Sequence, residues 1–364
     1  MAKFPTVDAD GHVEENHIDW EERLPAGYRS RAPERRPSGN GQLRTMIEGK
    51  PWPRPSGLGI GVGGPYNRPH PRRPGMTDPK ARLVDMDSEG IDVAVLFGAG
   101  LAGTLPALED AGLAAALATA RNTWLAEYCA TDPKRIKGTA ALAQQNINAS
   151  VDELRRTVKE LGFVGASLFP NVKGRHLGDT YYFPLYAEAE KLNVPICVHM
   201  FLGRYGSDAV GTERVDKFFY SHLFGHPFEQ MIALAVIIGE GVLERFPKLR
   251  FVFLESGCGW VPYWLDRMDE HYEVLGVQLP ELKTEPSKLL QRGQLYFSCE
   301  PDEKELAHVV DVIGNDWIVF ASDYSHFDSR FPGASEPIVS HPQLSEETKR
   351  KILNDNVRRL YRLD

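Results

Sequence analysis

Residues 136–199 read IKGTAALAQQNINASVDELRRTVKELGFVGASLFPNVKGRHLGDTYYFPLYAEAEKLNVPICVH. Short apolar runs near 136–142, 163–169 and 194–199 alternate with the amphipathic stretches NASVDELRRTVKELG and YYFPLYAEAEKLN. A short continuous apolar run reads as a strand buried on both faces, and a helix-length stretch between two such runs reads as a crossover. Strand, helix and strand in that order imply parallel pairing. Asn148 or Ser150 is the expected cap of the first helix.

The same rhythm extends in both directions. Upstream, KFPTVDAD opens the chain as a strand near 4–10, and DPKARLVDMDSEG is a helix stopped by Gly90. IDVAVLFGAG is a strand near 92–98, and ALEDAGLAAALATARNTWLAEYCATDP is a long helix ending before Pro133. Downstream, FEQMIALAVIIGEGVLERFP is a helix, LRFVFLES a strand near 249–255 and GWVPYWLDRMDEHYEVL a helix. Strand, helix and strand follow in GQLYFSC (near 293–299), EKELAHVVDVIG and WIVFASD (near 317–323), and SEETKRKILNDNVRRLY closes the chain as a helix. Eight strands joined largely by helices predict an α/β fold, a closed (β/α)8 TIM-type barrel. The open doubly wound alternative lacks its signature, because DADGH, not a Gly-rich fingerprint, follows the first strand.

One stretch breaks the rhythm. From about Glu14 to Thr77 the chain runs through RAPERRPSGNG and PWPRPSGLGIGVGGPYNRPHPRRPG, too rich in Pro and Gly for a helix or a central strand. It reads as an insertion, residues 14–77, within a single barrel domain spanning 1–364. Trp52, Ile60 and Tyr66 are its expected anchors, and Arg31 to Pro74 is expected to cover the barrel mouth as a lid and shape the pocket.

Composition narrows the partners. The 364 residues carry 42 Lys and Arg against 50 Asp and Glu, a net charge of −8. That balance argues against nucleic acid, whose binding relies on phosphate neutralisation. No apolar run approaches the ~18 residues of a membrane span. The start, MAKFPTVDADGHVEE, has no apolar signal segment, and Cys129, Cys197, Cys258 and Cys299 are widely separated. A reduced, cytoplasmic setting is the expectation, with a small molecule as substrate.

Barrel enzymes carry their chemistry where strands end. Here the strand ends bring Asp10-Gly11-His12, His199, Glu255 and Asp323. Singly, each has an ordinary structural role as a helix cap, an ion-pair partner or a hydrogen-bonded histidine. Converging on one mouth, they would be underpaired without a cation. Asp10 and His12, two residues apart, face the same side of a regular strand. The pattern points to a metal.

These residues resemble a family. The opening DxH, VHM on strand 5, FVFLESGCGWVPYWLDRMDEHY and FASDYSH are similar to the amidohydrolase-related metalloenzymes, in the branch of the aminocarboxymuconate-semialdehyde and resorcylate decarboxylases. The resemblance covers nearly the whole chain outside the Pro/Gly insertion and implies a metal-bearing (β/α)8 barrel. It places the metal ligands on Asp10, His12, His199 and Asp323. Two departures stand out: DxH replaces the HxH of many relatives, and Glu255 occupies the strand-6 position where the decarboxylases carry a catalytic His. An ordinary carboxyl, with a pKa near 4, protonates carbon poorly at neutral pH.

Glu15, His226 and Glu255 are candidates for a second metal position, and His222, His326 and Asp328 lie nearby in sequence. Phe169-Pro170-Asn171, after strand 4, offers no lysine for a carbamate bridge, a place Glu255 would take. Asp323 is the candidate proton acceptor from a metal-bound water, with His326 or Glu255 as shuttle. Arg204, Arg44 and Tyr324 are candidates for an anionic substrate, and Cys258 is expected to serve packing. Oxygen and imidazole donors fit Zn, Mn or Fe, with one ion expected and two possible. Three functions follow: a metal-dependent hydrolase or related lyase on a small organic acid or amide, a dinuclear Fe or Mn oxygenase, or an inactive partner subunit. Tyr263 and Trp264 on the 260–272 helix are candidates for a homo- or hetero-oligomer contact.

Overall fold

The structure, a computed structural model, describes residues 4–15, 17–37, 43–52, 67, 73–199 and 209–364. Eight strands form one parallel sheet: β1 (Val7–Val13), β2 (Val93–Gly98), β3 (Ile136–Ala141), β4 (Gly165–Leu168), β5 (Ile196–Val198), β6 (Phe251–Phe253), β7 (Leu295–Cys299) and β8 (Ile318–Phe320). They follow chain order around the sheet. The first and last strands meet where His12 N donates to Tyr324 O at 2.6 Å and Asp323 N donates to Asp10 O at 3.0 Å. The expected barrel is present.

The strands are apolar because both faces are covered. Val7, Ala9, Val93, Val95, Phe97, Cys197, Val252, Leu254, Tyr296 and Val319 fill the barrel interior as one buried cluster. Around it lie α1 (Pro79–Glu89), α2 (Ala111–Cys129), α3 (Ile147–Glu160), α4 (Phe183–Leu192), α5 (Phe218–Gly239), α6 (Val261–Leu275) and α7 (Leu306–Ile313). The last helix, α8, runs through Glu346–Arg350, a π-helical turn at Lys351–Asp355 and Asn356–Tyr361. Asp78 and Asp110 cap α1 and α2 by accepting first-turn N–H groups. The cap of α3 is Asn146, which accepts from Ala149 N, so this helix starts ahead of the expected Asn148 or Ser150.

Two boundaries differ in ways that matter for the mouth. β1 extends to Val13, past the expected end at residue 10, so Asp10 and His12 lie inside the strand. α5 begins at Phe218, ten residues ahead of the expected start at Phe228, and carries Pro227 in its interior. His222 and His226 therefore sit on the helix itself and not before it.

Within the insertion, Glu34–Pro37, Leu43–Ile47 and Lys50–Trp52 form an antiparallel three-stranded meander. Its second turn places Glu48 (φ 52°) and Gly49 (φ 71°) in the left-handed region, the form a two-residue hairpin turn needs. Trp52, an expected anchor, is buried with Ile47 against Leu101, Leu105, Leu108 and α2. Ile60, Tyr66 and most of the expected lid lie outside the described residues. The described end of the segment returns to the barrel, where Glu14 N donates to Met76 O at 2.8 Å.

Candidate metal centre

A bulge in β1 sets the site. Val7 and Asp8 pair with Val93 and Ala94, whereas Gly11, His12 and Val13 pair with Leu96, Phe97 and Gly98. The extra residue shifts the alternation, so His12 lies level with the inward Phe97 while Val7 and Ala9 remain in the interior cluster. Asp8 stays on the closing seam, accepting from Ser322 N at 2.9 Å and Ser322 Oγ at 2.6 Å. Burial pushes its carboxyl up to about 6.

Three more strand ends converge with it. His199 follows β5 and is held by a bond from its N to Leu168 O at 2.9 Å. Glu255 follows β6 and Asp323 follows β8, at φ 59° and 49°. Holding a non-glycine residue there costs about 1–3 kcal/mol, a strain that concentrates at functional sites. His326 N donates to Asp323 O at 2.9 Å, a turn that folds the imidazole back over the carboxylate.

The resulting cluster is tight. His199 Nε2 lies 2.9 Å and 3.1 Å from the two Asp10 oxygens. His12 Nε2 is 2.9 Å from Asp323 Oδ1, 3.3 Å from Glu255 Oε1 and 3.5 Å from Asp10 Oδ1. His326 Nδ1 is 2.8 Å from Asp323 Oδ1 and 3.6 Å from Glu255 Oε1. His226 Nδ1, reaching in from α5, is 3.5 Å from Glu255 Oε2. The His12 and His326 rings stack with centroids 3.9 Å apart, and His199 stacks on Phe97 at 4.5 Å.

His199 and Asp10 pair with each other, but other donor atoms of the cluster are close without being paired. His12 Nε2, Glu255 Oε2 and Asp323 Oδ1 are buried and make no hydrogen bond of acceptable geometry. A buried charged group left in that state is costly unless a cation completes it. Two sets of donor atoms could hold one: Asp10, His12 and His199, and His12, Glu255, Asp323 and His326, each within 4.8 Å of one another. Nitrogen and carboxylate donors without thiolate suit Zn, Mn or Fe. The residues fit a divalent ion.

The electrostatics agree in direction. Burial disfavours a charged His12, but Asp10, Asp323 and Glu255 outweigh it and lift the imidazole well above its ordinary range. Burial also opposes the His326 cation, and Asp323 raises it nonetheless. Burial works against the Glu255 anion, yet His199, His12 and His226 hold its carboxyl well below the usual value. Asp323, similarly opposed by burial, is drawn down to about 2 by His326 and His12. Burial lowers His226 to about 3, which keeps that imidazole neutral.

Two expected site residues stand elsewhere. Glu15 is fully buried under the loop after β2, where Arg121 Nε donates to it at 2.7 Å and Gly100 N and Ala102 N at 3.1 and 3.2 Å. Its oxygens are committed to that pair, so it belongs to the scaffold and not to a metal site. Tyr324 is engaged with α1: its hydroxyl donates to Asp85, and Arg82 lies 3.9 Å over its ring. It is unavailable to an anionic substrate. Arg204 and the Arg44 side chain lie outside the described residues. Trp264 donates its indole N–H to Met231 O at 2.7 Å. Cys258 is buried as expected, with all four cysteines free.

Glu300 escaped the sequence reading. It directly follows β7, two positions beyond Ser298 and four beyond the inward Tyr296, so alternation brings it to the inner face at the mouth. Burial, then Asp323, Glu303 and Asp328, push its carboxyl well above the usual range. Glu303 beside it accepts from Cys258 N at 2.9 Å and Gly259 N at 2.5 Å, bracing the turn that carries Glu255. A polar residue at the end of every strand, β7 included, was the signal to follow.

The sequence profile described as Amidohydrolase matches residues 7–363. The chain belongs to the amidohydrolase family. It is 28% identical over 299 residues to the 2-amino-3-carboxymuconate-6-semialdehyde decarboxylase of Dictyostelium discoideum, covering 79% of this chain and 77% of that one. It is 27% identical over 307 residues to the gamma-resorcylate decarboxylase of a Rhizobium species, covering 78% and 86%. The crystal structure of 5-carboxyvanillate decarboxylase from Novosphingobium aromaticivorans, solved with bound manganese, superposes with a TM-score of 0.72 over 99% of this chain and 97% of its own, at 21% identity. That last likeness bears on the fold. Family and geometry together make the chain a metal-dependent enzyme of the amidohydrolase superfamily. No described helix is long and apolar enough to cross a membrane.

Proposed function

We propose that the protein is a metal-dependent decarboxylase of a small aromatic or unsaturated carboxylic acid. The observation that carries the reading is the strand-end cluster of Asp10, His12, His199 and Asp323, in which His12 Nε2 and Asp323 Oδ1 are buried without a hydrogen bond among atoms spaced to hold an ion. It is supported by the decarboxylases among the relatives. These four side chains would hold the ion, with manganese the first choice. A divalent ion in that position would polarise oxygen substituents beside the scissile carboxylate and stabilise the electron pair left on carbon.

The chain itself must supply a proton. Decarboxylation breaks the bond between the ring or alkene carbon and its carboxylate, releases CO2 and leaves the electron pair on that carbon. Glu255, held ionised by the surrounding imidazoles, is a poor donor. Glu300, kept neutral by burial and by neighbouring carboxylates, is the suited one. Its proton moves to the carbon, and solvent restores it.

The test is turnover by manganese-loaded protein on a panel including gamma-resorcylate and 5-carboxyvanillate, with CO2 release and dioxygen uptake followed together. CO2 equal to substrate consumed, loss of turnover on chelation and solvent deuterium at the former carboxyl carbon are expected. Dioxygen consumption would favour the oxygenase, and amide or ester cleavage with every carboxylate retained would favour the hydrolase. Either result overturns the decarboxylase reading.

A further inference from the structure

We propose that the β2–β4 side of the mouth carries a substrate subsite, in which Arg121 donates to a single uncharged oxygen of the bound acid. The inference rests on the reading above, in which the carboxylate end of the acid lies at the metal centre, and adds where its far end goes.

The sheet opens on this side. β2 and β3 pair only as far as Leu96 and Gly138, although β2 runs on to Gly98 and β3 to Ala141. Arg121 of α2 fills the gap between the two strand ends. Its Nη1 donates to Thr139 O at 2.8 Å and Asn122 Oδ1 at 3.3 Å, and its Nε to Glu15 Oε1 at 2.7 Å. Gly98 admits the guanidinium, since a Cβ there would overlap Glu15 Oε1 and lie 2.9 Å from Arg121 Nη2.

Nη2 is left over. Arg121 is 1% exposed, and Nη2 is buried with no hydrogen-bond partner among the described residues. Arg121 and Gly98 form one side of a small pocket whose other walls include Ala102, Leu105, Leu142, Ser167 and Phe169. A guanidinium only donates, so the occupant must accept. The pocket has room for one water-sized group, which a carboxylate or phosphate exceeds. Glu15 already neutralises Arg121, and a further anion would meet its carboxylate in a buried setting. A hydroxyl or carbonyl oxygen meets all three conditions. The mostly apolar walls suit an oxygen carried on a ring or alkene better than a water, which needs about two to four polar partners.

The pocket adjoins the supports of the metal centre. Ala166 and Leu168 pack outward against the helices, so Ser167 between them faces the barrel interior, where it is half-buried. Leu168 O accepts from His199 N, and Phe97, next to Gly98, stacks on the His199 ring with centroids 4.5 Å apart. Gly98 and Phe169 are thus each one residue along the chain from a support of His199. Neighbouring Cα atoms are about 3.8 Å apart, so a ring-sized acid bound at the ion reaches the pocket.

The experiment is calorimetric binding to the manganese-loaded full chain of benzoates that carry methyl, hydroxyl or carboxylate at ring position 3 or 4. At one of these positions the hydroxyl acid should bind about 10–100-fold tighter than its methyl counterpart, the worth of a hydrogen bond to a charged group. The dicarboxylate should gain nothing over methyl. Ala102→Val narrows the pocket without touching the Arg121–Glu15 pair and should bring the ratio near one. Wild type with no hydroxyl acid about tenfold tighter than its methyl counterpart overturns the proposal, a result that needs no variant. A dicarboxylate that binds tighter than the hydroxyl acid, or a ratio that Ala102→Val leaves unchanged, also overturns it. The outcome is separable from the decarboxylase reading. A protein that shows the ratio yet releases no CO2 refutes that reading alone, whereas one that releases CO2 without the ratio refutes this proposal alone.

Discussion

Glu15 distinguishes most sharply between a ligand guessed from sequence spacing and the role the fold assigns. It is fully buried, Arg121 is 1% exposed, and the two are joined at 2.7 Å. Glu15→Ala would leave the guanidinium buried without its counter-charge, and breaking a buried pair from one side costs about 3–5 kcal/mol. It would also orphan the N–H groups of Gly100 and Ala102, each now bonded to the same carboxylate. Together these put the expected loss at the upper end, about 5 kcal/mol, a large share of an ordinary domain's stability. Glu15→Gln keeps an acceptor for the amides but removes the charge and turns an NH2 toward Arg121, so it should still lose less than Ala and remain folded. The assay is urea unfolding followed by tryptophan fluorescence, paired with manganese equivalents in the folded variants. Both variants should be destabilised, Ala more than Gln, and folded Glu15→Gln should hold as much metal as wild type. A loss of metal in Glu15→Gln at unchanged stability would refute the scaffold role.

Glu300→Gln should lower kcat by about 10²–10⁴-fold, the usual worth of a general acid, with metal content unchanged. In wild type, kcat/KM should fall as pH rises through the elevated Glu300 pKa, because the acid must be protonated to act; an unaltered profile in Glu300→Gln would discard the assignment. Metal binding should release a proton near neutral pH, since the metal-free cluster raises His12 and that imidazole must lose a proton to accept an ion. Affinity should therefore rise with pH, and calorimetry in buffers of different ionisation enthalpy would expose the released proton.

The barrel and the principal strand-end residues were legible because they rest on local rules. A parallel strand covered on both faces is an unbroken apolar run, and the residue after it lies at the mouth. The misses involve tertiary context. Asp10 and His12 do face inward, but through a bulge between Asp8 and Gly11 that no hydrophobic pattern records. The helix expected from Phe228 begins ten residues earlier and absorbs Pro227 in its interior, and only then does His226 come level with Glu255. Tyr324 neighbours Asp323 in sequence, but its hydroxyl is bonded to Asp85 of α1. Glu15 lies three residues past His12, beyond the strand, where Arg121 from α2 claims it. Long-range ion pairs of this kind leave no trace in residue spacing.

Anomalous scattering from crystals grown with MnCl2 tests the metal centre most directly. The expected result is a manganese peak about 2.0–2.2 Å from His12 Nε2, His199 Nε2 and an oxygen each of Asp10 and Asp323, a separation typical of first-row N/O sites. A mouth without a peak in manganese-saturated crystals, or a peak ligated by none of these four residues, would contradict it.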